Sequence, residues 1–299
     1  MKSYHSPALL NVCVDALNIV PDGIYVDATF GGGGHSSSIL KKLKTGKLIA
    51  FDHDPDAEQN RINDKRFILL RQNFRYLKNN LKYLNAIPIN GLIADIGVSS
   101  HQIDTGPRGF SITANCPLDM RMNPGQKLTA KYILNRYNEI ELTKVLSQYG
   151  EVPNSSEVAR SIINYRKNTV FKNSHDLNNC LLHNTPQGRR KKFLAKVYQA
   201  IRIEVNDELN ALKELLLQSA EVIKPGGRLL IISYHSLEDR IVKNFLRNES
   251  FESEVNSSAI KPTKSKFRHI NKKIVQPDAE EIKINRRVRS ARLRIAEKI

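Results

Sequence analysis

The sequence predicts an α/β fold in which a parallel, Rossmann-like sheet is interrupted by a helical insertion. Short apolar runs alternate with helix-like segments up to Gly97, which is typical of a parallel sheet with right-handed crossovers. A glycine-rich turn follows the first apolar run, and a carboxylate ends the second. The alternation stops near Gly106 and resumes near Val197.

The glycine-rich turn is the most informative stretch of the chain. Residues 25–36 read YVDATFGGGGHS, and the helix-like segment SSSILKKL follows directly. Glycine permits positive φ angles and lets a ligand approach the backbone closely. The start of the next helix directs free N–H groups and a positive dipole end at the same place. The turn therefore predicts a nucleotide-type pocket.

The second strand sharpens this prediction. Residues 47–53 read KLIAFDH and place Asp52 where doubly wound folds hold ribose hydroxyls. Ser36 and Ser37 stand where the third glycine of the dinucleotide fingerprint would fall. The pattern favours a cofactor with a ribose but no pyrophosphate. Two alternatives are a purely structural turn, with Asp52 an ordinary polar strand end, and an NAD-dependent oxidoreductase.

Local patterns predict the remaining elements before the insertion. A helix starts at the Ser6–Pro7 pair, and another at Asp54 with Pro55 in its first position. Strands are predicted over residues 66–73 and 91–97, separated by a helix over 76–84. Phe74 lies just past the third strand.

The insertion contains turn-rich and helical segments. Residues 129–150 and 154–167 have helical periodicity, and no convincing apolar strand appears between 106 and 196. A loop of that length is uncommon in a compact domain, so an inserted subdomain is the better interpretation. The predicted domains are a first part of the α/β domain at 1–105, the helical subdomain at 106–196, and a second part of the α/β domain with a basic C-terminal segment at 197–299.

The sheet is expected to resume after the insertion. One long helix is predicted over 197–223, then a KPGG turn, a fifth strand over 228–235 and a helix over 236–248. The segment Ser250–Lys264 is polar and is expected to be mobile. Residues 266–275 and 290–299 alternate like strands and predict the final hairpin of a seven-stranded sheet.

The charge balance points to a polyanionic partner. The chain has 47 Lys and Arg against 30 Asp and Glu, a net charge of +17. RNA or DNA phosphates bind such surfaces by counterion release. The alternative is a lysine-biased genome that makes every protein basic. The last 39 residues carry 13 basic against 4 acidic side chains.

Cysteine usage and hydropathy exclude other classes. Cys13, Cys116 and Cys180 lie far apart and form no metal-ligand spacing, which argues against a zinc site and a disulfide framework. No uninterrupted apolar run approaches ~18 residues. The sequence thus predicts a soluble, cytoplasmic protein without a metal or a membrane partner.

Several stretches together closely resemble one family, the S-adenosylmethionine-dependent methyltransferases that modify the N4 amino group of a cytidine in the decoding region of small-subunit (16S) ribosomal RNA, the RsmH or MraW type. The more specific matches are DIGVSSHQID at 95–104, PLDMRMNP at 117–124 and ISYHSLEDRIVK at 232–243. Further matches are HSPALL at 5–10, YVDATFGGGGHS at 25–36, RGFS at 108–111, AIRIEVNDEL at 200–209, KPGGRL at 224–229 and RSARLRIAEK at 289–298. The resemblance covers nearly the whole chain.

The resemblance implies a class I methyltransferase fold, S-adenosyl-L-methionine as cofactor, and a helical substrate-recognition subdomain inserted after the fourth strand. Phe74 would offer an apolar face to adenine, and Asp95 would pair with the ammonium group. The structural alternatives are that Phe74 belongs to the core and that Asp95 caps a loop. The cofactor residues implied by the matching motifs are Gly33, Gly34, His35, Asp52, Phe74, Asp95 and Gln102.

Candidate catalytic groups follow the fourth and fifth strands. Ser99 and Ser100 offer hydroxyl acceptors for the amino hydrogens of the target base, and His235 is a second candidate contact. The structural alternative for His235 is a hydrogen-bonded histidine. His101 and Ala8 depart from the usual proline and valine of the family.

A basic turn in the insertion is the candidate RNA contact. It contains Arg189, Arg190, Lys191 and Lys192, and the alternative is a solvated charge run. The 16S rRNA or the small ribosomal subunit is the expected partner. A catalytically silent RNA-binding assembly factor is the alternative outside the enzymes.

Overall fold

A computed structural model describes residues 7–185, 187–251, 265–271 and 273–299. Ser6, where the first helix was predicted to begin, and most of the predicted mobile segment Ser250–Lys264 lie outside these residues.

In the described part of the chain, seven strands form one mixed sheet in the order β3-β2-β1-β4-β5-β7-β6. The first five strands are parallel, and β7 runs antiparallel between β5 and β6. The predicted seven-stranded sheet with a final antiparallel pair is confirmed. The strands are β1 Ile24–Asp27, β2 Lys47–Phe51, β3 Phe67–Leu70, β4 Ile89–Asp95, β5 Ile223–Ser233, β6 Phe267–His269 and β7 Arg292–Lys298.

The central strands are apolar because both faces of the sheet are covered. Val26, Ile49, Leu92 and Leu230 are fully buried, as expected for parallel strands with helices on both sides. The chain moves outward from β1 to β3 and then returns to place β4 on the other side of β1. Ligands of open α/β sheets bind at such a switch point, beyond the carboxyl ends of the strands.

The helices connect the strands and build the insertion. They are α1 Leu10–Ala16, α2 Gly34–Lys42, α3 Leu77–Tyr83, α4 Ser100–Asp104, α5 Ala130–Arg136, α6 Glu139–Gly150, α7 Ser155–Asn168, α8 Ser174–Cys180, α9 Arg190–Asn206, α10 Glu208–Val222, α11 Ser236–Asn248 and α12 Ala279–Ile284. The helix predicted at Asp54 is a short 3-10 helix, Pro55–Asn60, and the Asp54 side chain caps it by accepting from the Asp56 N–H.

The chain divides into two compact units. The first runs up to Gly97 and resumes at Leu209, and the second is Val98–Glu208. These boundaries differ from those predicted at 105/106 and 196/197, and the predicted domains stay a prediction. The second division falls after α9, which is continuous to Asn206 and packs on α6 inside the second unit.

The prediction of one long helix over 197–223 is wrong. Asp207 adopts the left-handed conformation, with φ 50°, and separates α9 from α10. Just before it, the buried Asn206 amide donates to the Met120 carbonyl at 2.8 Å and accepts from the Met122 N–H at 2.8 Å. These long-range hydrogen bonds fix the break, which helical periodicity does not reveal.

The fifth strand starts earlier than predicted. The KPGG segment lies inside β5, where the register with β4 shifts between Ile89 opposite Ile223 and Gly91 opposite Arg228. Gly226 takes φ 76° in this irregularity, a conformation that favours glycine. The strand ends at Ser233, because the next residues form the cap of α11.

Candidate active site

The carboxyl edge of the first unit collects the residues of the site. β1 leads into the glycine loop and α2, β2 into Asp52, β3 into Phe74, β4 into Asp95, and β5 into His235. Because these strands are parallel, their carboxyl ends meet at one edge of the sheet. The topology therefore brings the glycine loop close to Asp52 and Asp95, which are far from it in the sequence.

The glycine loop takes conformations that other residues rarely adopt. Gly31 and Gly33 have φ 50° and 76°, and the Gly33 N–H donates to the Phe30 carbonyl at 2.8 Å. At Gly34, the first residue of α2, an added Cβ would lie 2.5 Å from Cγ of Pro7. The backbone of this loop is thus packed so closely that a side chain at Gly34 would displace it.

Asp52 is tied to the loop by its backbone partners. Its Oδ2 accepts from the Gly31 N–H at 2.8 Å and its Oδ1 from the Asp54 N–H at 2.8 Å. Burial raises the pKa of Asp52 to about 6, and these two hydrogen bonds oppose the rise. Each carboxylate oxygen has a further lone pair, so the fixed carboxylate can still accept hydroxyl donors.

Asp95 is held from two sides. Its backbone N–H donates to the Thr29 hydroxyl at 2.7 Å, and the Tyr234 hydroxyl donates to its Oδ1 at 2.8 Å. Burial raises the pKa of Asp95 to about 6, while His35 and the Tyr234 hydrogen bond act against the rise. A cationic group bound beside Asp95 would favour the ionised form of its carboxyl group.

A third carboxylate, Asp27, accepts hydrogen bonds from both sides of the glycine loop and was not predicted from the sequence. It is buried, its Oδ2 accepts from the Ser36 hydroxyl at 2.7 Å, and its Oδ1 accepts from the Thr29 N–H at 3.1 Å. Burial raises the pKa of Asp27. The available signal was a charged residue ending an apolar strand, three residues short of the glycines.

His35 uses its ring inside the protein. The side chain is buried, and Nε2 lies 3.1 Å from the Ala8 carbonyl oxygen. The ring thus joins α2 to the segment before α1. Its predicted contact with the cofactor stays a prediction.

Phe74 lies at the carboxyl edge and is partly exposed rather than buried in the core. The preceding residue, Asn73, fixes the backbone by accepting from the Arg75 N–H at 3.0 Å, and its amide lies 3.0 Å from Nδ1 of His53. A half-buried ring in this place can cover an apolar base.

His235 is the N-cap of α11. Its Nδ1 accepts from the Glu238 N–H, and Glu238 Oε2 accepts from the Tyr234 and His235 N–H groups at 2.9 and 3.2 Å. Nε2 of His235 lies 2.9 Å from Glu238 Oε1 without hydrogen-bond geometry. The structural alternative for His235 thus has direct support, and a catalytic contact stays a prediction.

Ser99, Ser100 and Gln102 lie at the start of α4, in the second unit. The Ser99 hydroxyl accepts from the Gln102 N–H at 3.2 Å, and the Gln102 amide oxygen accepts from the Ser99 N–H at 3.0 Å. This capping box uses the Ser99 hydroxyl and the Gln102 oxygen to begin the helix. The roles predicted for Gln102 with the cofactor and for both serines in catalysis stay predictions.

The predicted RNA contact also lies in the second unit. Arg189 is the N-cap of α9, and Arg190, Lys191 and Lys192 form its first turn, all four exposed. Cations are unfavourable at a helix N-terminus, where the dipole end is positive. These charges therefore do not serve the stability of α9.

The residues of the first unit fit S-adenosylmethionine. Its ribose would be held by Asp52, its ammonium group by Asp95, and its adenine by Phe74, beside a loop whose glycine backbone leaves room. Within residues 7–185, 187–251, 265–271 and 273–299, no group of three or more His, Cys, Asp or Glu side chains could hold a metal ion. In the same part of the chain, no helix has the length and apolar character needed to cross a membrane.

Comparison with known proteins gives the family. The chain is 49% identical to ribosomal RNA small subunit methyltransferase H of Christiangramia forsetii, over 100% of this chain and 99% of that protein. It is 50% identical to the protein of the same name from Flavobacterium johnsoniae, over 99% and 98%. A solved rRNA methylase from Streptococcus thermophilus superimposes with a TM-score of 0.42 at 14% identity, covering 96% and 95% of the two chains. Residues 2–299 match the MraW methylase family, and the chain belongs to that family.

Proposed function

We propose that this protein transfers a methyl group from S-adenosylmethionine to the N4 amino group of a specific cytidine in the decoding region of 16S rRNA. The observation that carries the proposal is the pair of anchored carboxylates, Asp52 and Asp95, on either side of the glycine loop, in a chain that matches a methylase family from end to end. The names of its relatives support ribosomal RNA as substrate. Work on ribosomal RNA would place the enzyme in the cytoplasm.

The cofactor supplies an activated methyl group on a sulfonium. The Asp95 carboxylate would bind the ammonium group and so fix the methionine end, while Asp52 fixes the ribose. Both carboxylates are themselves immobilised by hydrogen bonds. Orientation of this kind supplies a large part of the rate in group transfer.

The amino nitrogen of cytosine is a poor nucleophile because its lone pair is delocalised into the ring. Acceptors near the amino hydrogens favour a tetrahedral nitrogen and stabilise the charge that develops on it. The backbone carbonyls of Gly97 and Val98 and the hydroxyl of Ser100 are the groups we propose for this task. A strong base is not required, because the amine becomes acidic once it is alkylated.

RNA would be held by the basic turn at the start of α9. Arg190, Lys191 and Lys192 are exposed, and their charges oppose the helix dipole. A phosphate would remove that conflict and would help to hold the RNA while the base is unstacked, at a cost of a few kcal/mol. Together with the basic C-terminal segment, this turn is the substrate contact we propose.

The test is transfer of labelled methyl from S-adenosylmethionine to small ribosomal subunits that lack the modification, followed by nucleoside analysis. Label in N4-methylcytidine that is lost in Asp52→Ala and Asp95→Ala is the expected result. Cofactor binding without any transfer would contradict the proposal and favour a silent assembly factor. Label in another nucleoside would contradict the assignment to cytosine N4.

A further inference from the structure

A basic cavity lies in the first unit, away from the carboxylates of the active site. Its volume is about 360 Å³, and it is lined by residues of α11, of the antiparallel pair β6 and β7, and of the segment that follows β6. Its polar and charged lining residues are Lys243, Arg247, His269, Asn271, Lys273 and Arg294. His269, Asn271, Lys273 and Arg294 belong to the basic C-terminal segment of the proposed function, and Lys243 and Arg247 of α11 are new to it.

Among the described residues, the charged side chains that line the cavity are all cationic. Lys243 and Arg247 are exposed and lie one turn apart on α11, where like charges repel each other. Lys273 is exposed and also lines the cavity, and Arg294 belongs to β7. The acidic side chain at this place is Asp239, which accepts both hydrogen bonds of Arg294. The cavity therefore attracts an anion.

The cavity is held in shape by hydrogen bonds. Arg294 donates to the two oxygens of Asp239 at 2.7 and 3.0 Å, so its guanidinium is fixed. The Asn271 side chain accepts from the Ile295 N–H at 3.2 Å and donates to the Lys273 carbonyl at 2.6 Å. These bonds tie the loop that carries Lys273 to β7.

His269 adds a neutral donor. Partial desolvation and the neighbouring Arg294 lower the pKa of His269, which favours the neutral ring. A neutral imidazole carries one N–H that can donate to an oxygen. Fixed guanidinium, mobile ammonium groups and a ring N–H together match the oxygens of a phosphate.

The position of the cavity suits a long polyanion. α11 begins at Ser236, directly after His235 at the carboxyl edge. At a rise of 1.5 Å per residue, Lys243 lies about 10 Å and Arg247 about 16 Å along the helix from Ser236. A polynucleotide with a base at the carboxyl edge could extend along α11 to reach this cavity.

We propose that this cavity binds a backbone phosphate of the RNA substrate, at a nucleotide other than the one that is methylated. The inference rests on the proposed function, since it takes RNA as the ligand. The cavity would be a second anchoring point for the RNA, besides the basic turn of α9. The contact is to the backbone, so it contributes affinity and register but no sequence specificity.

The experiment compares Lys243→Ala/Lys273→Ala with the wild type in binding to small ribosomal subunits that lack the modification. Loss of this one phosphate contact lowers the salt slope by about 0.7, so the fall in affinity between about 50 and 200 mM KCl should become about 2.6-fold smaller. Lys243→Arg/Lys273→Arg should keep the wild-type slope. Both lysines are exposed, and unchanged S-adenosylmethionine affinity verifies that the variants are folded.

The matched control is Lys41→Ala/Lys42→Ala, which removes two exposed charges from the last turn of α2 and should leave the slope unchanged. A wild-type slope in the Lys243/Lys273 variant would overturn the cavity proposal, as would an equal reduction in the control. If the wild type methylates the subunits in that case, the proposed function survives. No methyl transfer by the wild type would overturn the proposed function and, with it, the RNA ligand of the cavity.

Discussion

Replacing Asp95 with asparagine should change stability and cofactor binding in opposite directions. Asparagine keeps an oxygen that can accept from the Tyr234 hydroxyl, now 2.8 Å from Oδ1, but it removes the charge. The buried carboxylate has a pKa raised from 3.8 to about 6. Ionising it at neutral pH therefore costs folding free energy, which the variant avoids.

The sign follows from the raised pKa. The protonated carboxyl is favoured in the folded protein, so its stabilising contribution is full below pH 3.8 and is lost as pH rises through about 6. One pKa unit corresponds to about 1.4 kcal/mol, so the wild type loses about 3 kcal/mol by pH 7.5. Asp95→Asn should recover about 1–3 kcal/mol of unfolding free energy at pH 7.5, and about a third of that gain at pH 4.5.

Urea unfolding of the cofactor-free protein at both pH values measures the gain, and calorimetric titration measures S-adenosylmethionine binding. Affinity should fall about 10–100-fold, because a hydrogen bond to a charged group is lost. The control is Asp64→Asn, where Arg66 lowers the pKa of the carboxyl to about 2 and the substitution should not stabilise. An Asp95→Asn variant no more stable than the wild type, or equally stabilised at both pH values, would refute the reasoning.

Three further changes test the site and the basic turn. Tyr234→Phe removes a donor that lowers the pKa of Asp95, so the carboxylate should be protonated at a higher pH in the variant. As the pH is lowered, cofactor affinity should therefore begin to fall about one pH unit earlier than in the wild type, as measured by titration across pH. Gly34→Ala places a Cβ against Pro7 and should cost about 1–3 kcal/mol in unfolding free energy, with weaker cofactor binding. Arg190→Glu replaces a cation by an anion at the start of α9 and should raise stability by about 0.3–1 kcal/mol at low salt while weakening binding to small ribosomal subunits.

Each of these changes has a control in the chain. Tyr83→Phe alters an exposed tyrosine and should leave the pH profile unchanged. Gly106→Ala adds a Cβ with no atom within 4 Å, so a loss equal to that of Gly34→Ala would contradict the packing argument. Lys167→Glu lies in the last turn of α7 and should destabilise. If it stabilised as Arg190→Glu does, the dipole explanation would be wrong.

The cofactor loop shows why part of the site was predictable. Four glycines between a strand and a helix, followed by Asp52 at the end of the next strand, are local patterns whose meeting is dictated by parallel topology. The hydrogen bond from Gly31 to Asp52 joins the two. Tyr234 was not predicted, because its contact with Asp95 links two strands that are separated by the whole insertion.

The break after α9 shows the limit of periodicity. Helical spacing continues through Asp207, and only the hydrogen bonds of Asn206 to Met120 and Met122 show that the chain must turn there. His235 is the N-cap of α11, a role that the sequence pattern did not specify, and its predicted catalytic contact stays a prediction.

The sequence by itself determined the α/β class, the succession of the first strands and helices along the chain, the position of the glycine loop and the family, because each depends on local pattern or on motifs read in order. The tertiary structure decided the boundaries of the two units, the support of Asp95 by Tyr234 and Thr29, and the basic cavity beside α11. The physical reason is that hydrogen bonds and charges act through space. Residues far apart in the chain become partners only once the chain has folded.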